Sequence, residues 1–90
     1  MLYAWIGRLK PGADVTQTVQ EAAIDFLAQP LIEIRYAGPL RNELGQRAGM
    51  LMIFERDSRE AAEQFVADSP YLQAGLYDED GLYEYANEVG

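Results

Sequence analysis

The sequence predicts an α+β sandwich in which two helices cover one face of a four-stranded antiparallel sheet. Three observations carry that prediction. Leu2 to Ile6 and Gly49 to Phe54 are apolar on both alternating faces, as strands in the middle of a sheet are. Two further segments carry apolar residues at helical spacing, and each lies between strand-like runs. The resulting order, β-α-β-β-α-β, is the split βαβ pattern of ferredoxin-like domains, and right-handed crossovers place its first and third strands in the centre.

Each element has its own signal. Leu2 to Leu9 is rich in strand formers, with Leu2, Ala4 and Ile6 on one face and Tyr3 and Trp5 on the other; Lys10-Pro11-Gly12-Ala13 breaks it. Asp14 or Thr16 can cap the next segment, where Val15, Val19, Ala22, Ala23, Phe26 and Leu27 form a helical stripe to about Gln29, before Pro30. Leu31 to Leu40 reads as a half-covered or edge strand, with Ile32, Ile34 and Tyr36 opposite Glu33 and Arg35. The polar stretch Arg41 to Arg47 is a hairpin loop.

After the second central strand, Asp57-Ser58-Arg59-Glu60 caps a helix whose stripe is Ala61, Ala62, Phe65 and Val66. Ser69-Pro70-Tyr71-Leu72-Gln73-Ala74-Gly75-Leu76 then reads as a shaped turn. Ser69 suits an N-cap, Pro70 suits the first helical position, and Gly75 can take the left-handed conformation that ends a short helix. Asp78-Glu79-Asp80-Gly81 is expected to be a polar bend before a last strand, Leu82 to Asn87, with Tyr83 and Tyr85 on one side.

Composition bounds the chemistry. At 90 residues the chain is expected to be one domain, residues 1–90, burying roughly 60 to 65% of its unfolded surface. With no Cys and no His there is no disulfide, thiolate nucleophile or Cys/His metal site, so metal ligands and cofactors are expected to be none. Acid–base work near neutral pH would need a perturbed carboxylate, Lys10 or a tyrosine. Net charge is −8, and residues 60 to 90 hold no base at all, a surface that repels phosphate backbones and anionic lipid. Neither nucleic acid nor membrane is an expected partner. The opening apolar run is too short for a signal segment, which points to a cytoplasmic protein.

Two helices can cover only one face of the sheet. Trp5 or its neighbours, with part of Met50-Leu51-Met52-Ile53-Phe54, are expected to remain as an apolar patch on the other face. A homodimer through that open face is the economical way to cover it.

At this point the residues resemble the YCII-related (YciI-like) family of the dimeric α+β barrel superfamily. The matching pieces are MLYAWIG, Ala37-Gly38-Pro39-Leu40, GMLMIFE, the Ser58/Glu60/Ala61/Ala62 helix start and SPYLQAGLY, in the family's order over most of the chain. The resemblance implies a small bacterial protein that dimerises through the open sheet face, with a cleft between the first helix and the sheet. Related folds isomerise, dehydrohalogenate or oxygenate small aromatic or lactone compounds, and most members have no established activity. The family typically has a histidine in the first helix and an aspartate before Pro-Tyr, proposed as an acid–base pair. Here Glu21, or Ala22 if the register differs by one, stands at the histidine position, and Ser69 replaces the aspartate.

Those departures make Glu21 and Ser69 the only catalytic candidates, each with a plainer structural reading: Glu21 on the solvent side of its helix, Ser69 as a cap. Candidate ligand-binding residues are Arg35, which can clamp a carboxylate or pair with Glu33 or Glu55, together with Tyr36, Ser69 and Tyr71. The acidic run at Asp78 lacks the ligand spacing of a calcium loop. The expectation is a degenerate, non-catalytic small-molecule-binding module. The alternative is a cofactor-independent isomerase-, lyase- or dehydrochlorinase-like enzyme acting on a small aromatic or lactone metabolite.

Overall fold

The computed structural model describes residues 1–89. Its elements are β1 (Leu2–Leu9), α1 (Gln17–Leu27), β2 (Ile34–Arg41), β3 (Arg47–Glu55), α2 (Arg59–Ala67), the single turn α3 (Pro70–Gln73) and β4 (Tyr77–Tyr85). The four strands form one antiparallel sheet in the order β2-β3-β1-β4, so the two strands with apolar residues on both faces are the central ones. This is the ferredoxin-like α+β arrangement.

The helices begin where side chains satisfy their first free N–H groups. Thr16, rather than Asp14, caps α1 by accepting from the Val19 N–H at 3.3 Å, and Ser58 caps α2 through the Ala61 N–H at 3.1 Å. Their apolar stripes meet one sheet face. Tyr3, Trp5, Met50, Met52 and Phe54 are buried there against Ala23, Ala62, Phe65 and Val66. Phe65 is the hinge of the packing, its ring 4.6 Å from that of Phe54 and 4.8 Å from that of Phe26.

That packing corrects the expected assignment of the open face. Trp5, 1% exposed, and Met52, fully buried, belong to the helix-covered core. The other set of β1 residues faces away from the helices. Strand pairing aligns Tyr36, Ile53, Ala4 and Tyr83 in one row across all four strands, and Gly38, Leu51, Ile6 and Gly81 in the next. Ile6 is 42% exposed and Tyr83 60%, so an apolar surface does remain on the open side, built from residues other than those expected.

Two irregular strands also differ from the sequence reading. β2 starts at Ile34, because Pro30 to Ile32 form a turn, and a register shift between Ile34 and Tyr36 puts these two residues on opposite faces instead of one. Asp78 to Gly81 are part of β4, not a bend before it. The strand accommodates them with a bulge: Glu79 has φ 50° and its carboxylate pairs with Arg8 at 2.8 Å, while the β1–β4 register shifts between Ile6 and Arg8. The polar composition hides a strand in which Glu79 and Asp80 are held by Arg8 and Trp5 of β1.

Gly49 is required by a close approach of the two central strands, since a Cβ there would lie 2.5 Å from the Gly7 carbonyl oxygen.

Candidate functional site

The turn between α2 and β4 forms as its residues imply. Ser69, 1% exposed, accepts from the Tyr71 N–H at 3.2 Å, Pro70 opens α3, and Gly75 ends it with φ +67°. The consequence is directional. The turn points Tyr71 into the core and delivers Tyr77 at the start of β4, where the two rings meet edge to face at 6.1 Å. Tyr77 also packs edge to face on Trp5 at 5.6 Å.

Arg47, the first residue of β3, lies beside both phenols. Burial pushes the Tyr71 and Tyr77 hydroxyls up from the ordinary tyrosine value, and the Arg47 charge pulls each partly back. Both phenols are therefore neutral hydrogen-bonding groups at physiological pH. The contact is not a completed bond: Arg47 Nε and Tyr77 Oη are both buried without a hydrogen-bond partner among the described residues. Arg47 also has no carboxylate at ion-pair distance there.

Arg47 is at once a wall of a cleft of about 690 Å³ between the β1–α1 connection and the end of the β2–β3 hairpin. Both walls are held in shape locally. The Lys10 N–H donates to the Leu76 carbonyl at 2.8 Å, Gln20 Nε2 donates to the Val15 carbonyl at 3.3 Å, and Asn42 Oδ1 accepts from the Leu44 and Gln46 N–H groups at 2.9 and 3.0 Å. Lys10 and Arg47 supply positive charge to the cleft against the acid Asp14, while Arg8, also on its wall, is paired with Glu79 at 2.8 Å. In a chain of net charge −8 with seven bases, this is a concentrated positive site.

The residues singled out from the sequence do not come together in one place. Glu21 is exposed on α1, where it accepts from Gln17 Nε2 at 2.9 Å, one helical turn away. Ser69 is enclosed in its capping role and Tyr71 lies in the core beside Arg47. Arg35 and Tyr36 sit elsewhere, at a second depression on the open sheet face with Leu2, Ile53 and Tyr85. There Arg35 pairs with Glu33 at 3.3 Å and Glu55 at 3.5 Å. The Glu55 carboxyl is held below its ordinary value, first by its neighbour Glu33 and next by the chain's amino terminus.

Arg47 and Tyr77 were not legible as site residues. Arg47 reads as the end of a polar hairpin, and its only signal is a base immediately before a strand that is otherwise buried. Tyr77 reads as the residue after a turn.

The chain belongs to the YCII-related domain family, whose model matches residues 1–85. Among solved structures it is similar to 5-chloro-2-hydroxyhydroquinone dehydrochlorinase (TftG) from Burkholderia phenoliruptrix AC1100, in complex with 2,5-dihydroxybenzoquinone, with TM-score 0.79 and 22% identity over 96% of this chain and 94% of that one. It is also similar to hypothetical protein PHS023 from Pyrococcus horikoshii, with TM-score 0.57 and 17% identity over 98% and 93% of the two chains. Protein Atu4242 from Agrobacterium tumefaciens gives TM-score 0.53 and 22% identity over 98% and 96%. At these identities the likenesses establish the fold. No curated protein matches the chain.

Proposed function

We propose that this YCII-related chain is a small-molecule-binding module that acts as a cytoplasmic homodimer, one domain per chain, without the family's His–Asp acid–base chemistry. The observation that carries the reading is the 690 Å³ cleft with its excess of bases, of the size and mixed character that small-molecule sites have. The two positions at which the resemblance places the acid–base pair support it. One holds a solvent-facing carboxylate engaged with Gln17, and the other a serine enclosed as a helix cap. Neither group has an activating base beside it. The apolar rows on the open sheet face support dimerisation through that face.

One observation favours a second reading, cofactor-independent catalysis on a small aromatic or lactone metabolite. Tyr71 and Tyr77 are protonated phenols beside a cation, groups of the kind that stabilise a developing oxyanion by hydrogen bonding.

A thermal-shift screen with a metabolite library tests the binding reading, followed by turnover assays on every hit. A ligand at a hundredfold over its Kd adds about 2.7 kcal/mol of stability, which for a chain of this size raises Tm by on the order of 10 °C or more. Hits that bind without being consumed support the module. Hits that are converted support the enzyme, and a library that shifts nothing contradicts both.

A further inference from the structure

We propose that Arg47 is the anion anchor of the cleft and that its ligand is a small organic carboxylate with an apolar body. This rests on the cleft being the binding site. The first argument is charge. Arg8 is already paired with Glu79 at 2.8 Å, but Lys10 and Arg47 line the cleft with no carboxylate partner among the described residues. A guanidinium left half-buried without a counter-ion is costly, and an anionic ligand removes that cost.

The second argument is the way Arg47 is held. Its Nε is buried, as is the hydroxyl of Tyr77, a residue 6% exposed, and neither atom has a hydrogen-bond partner among the described residues. Two neutral phenols flank the guanidinium without cancelling its charge, as an aspartate or glutamate there would. The same side chain borders the cleft.

The third argument concerns the body of the ligand. Beside the amides Gln20, Asn42 and Gln46, part of the cleft wall is apolar, from Leu9, Pro11, Val15 and Ala48, and suits a hydrocarbon body. A guanidinium can take both oxygens of a planar carboxylate bidentately.

The test is calorimetric titration of the full chain with benzoate and cyclohexanecarboxylate, their uncharged amides, and inorganic phosphate. The carboxylates are expected to bind about tenfold or more tightly than their amides, and Arg47→Gln to weaken carboxylate binding by at least the same factor while leaving the amides unchanged. Amides that bind as well as carboxylates, phosphate that binds more tightly than either, or an Arg47→Gln variant with unaltered carboxylate affinity overturns the assignment. Should Arg47→Gln not fold, the Arg47 Nε–Hε resonance of the ¹⁵N-labelled wild type decides: it moves on addition of benzoate if Arg47 is the anchor and stays in place if it is not. Uncharged library compounds that bind in the cleft where carboxylates do not would defeat this inference and leave the binding reading intact. Failure of every compound defeats both.

Discussion

The indole N–H of Trp5 donates to Asp80 Oδ2 at 3.0 Å, joining residues 75 apart in sequence across the β1–β4 ladder. It explains why an acidic run is built into a strand. Trp5 faces the helix-covered core, and its one polar atom is satisfied by a carboxylate that the β4 bulge brings back over it. Asp80→Ala strands that N–H in a part-buried position. The expected cost is about 1 kcal/mol, toward the low end of the range for a lost partner because Asp80 is itself exposed. Urea denaturation read by the fluorescence of this single tryptophan measures it, and an unchanged midpoint contradicts it.

The turn after α2 gives a second prediction. Ser69 is buried as well as capping, so Ser69→Ala leaves the Tyr71 N–H unpaired inside the protein and should cost ~1 to 2 kcal/mol. Gly75, at φ +67°, faces open space, so only its backbone conformation is at stake; Gly75→Val should cost on the order of 1 to 3 kcal/mol from strain. Chemical denaturation of both variants checks the pair. If Gly75→Val is neutral, the turn is not under the constraint described.

Stability should also fall in alkali. The Tyr71 and Tyr77 pKa values are raised above 10.0 in the folded state, chiefly by burial. Above about pH 10 the unfolded chain loses these protons first, so it binds fewer protons than the native state and ΔG of unfolding decreases as pH rises. The contribution is complete below the unfolded pKa and is lost as pH passes through the folded values. Tyr77→Phe should flatten that alkaline slope, as read by denaturation at pH 8 to 11, whereas an unaltered slope places the titration elsewhere.

The open sheet face is tested by charge. Ile6 and Leu51 are directly paired across β1 and β3 on that face, away from the core. Ile6→Glu or Leu51→Glu should therefore leave the fold intact and shift sedimentation from dimer to monomer. Trp5→Glu or Met52→Glu should unfold the chain, because both positions are inside the helix-covered core. A wild-type monomer at micromolar concentration refutes the interface.

The fold was legible because it is written in periodicity. The two-sided apolarity of Leu2 to Ile6 and Gly49 to Phe54 marks the central strands, and the caps at Ser58 and Ser69 are local signals that need no tertiary knowledge. What periodicity could not give was the choice of face. Both sets of β1 residues are apolar, so only the docking of Phe65 and Ala23 decides that Trp5 turns inward and Ile6 outward. Bulges defeat strict alternation too, which is why Ile34 and Tyr36 part and why Asp78 to Gly81 read as a bend. The cleft was illegible for a further reason. Lys10 follows β1 and Arg47 opens β3, and nothing local to either signals the other.

The central claim is that the cleft beside Arg47 is where this protein meets a small molecule. Backbone ¹H–¹⁵N spectra recorded during titration with the strongest hit of the library screen test it most directly. Shifts concentrated at Lys10 to Val15, Arg47 and Ala48, with Leu51 and Ile53 on the opposite face unmoved, are the predicted result. Shifts confined to the open face around Tyr36, Ile53 and Tyr85 would contradict it.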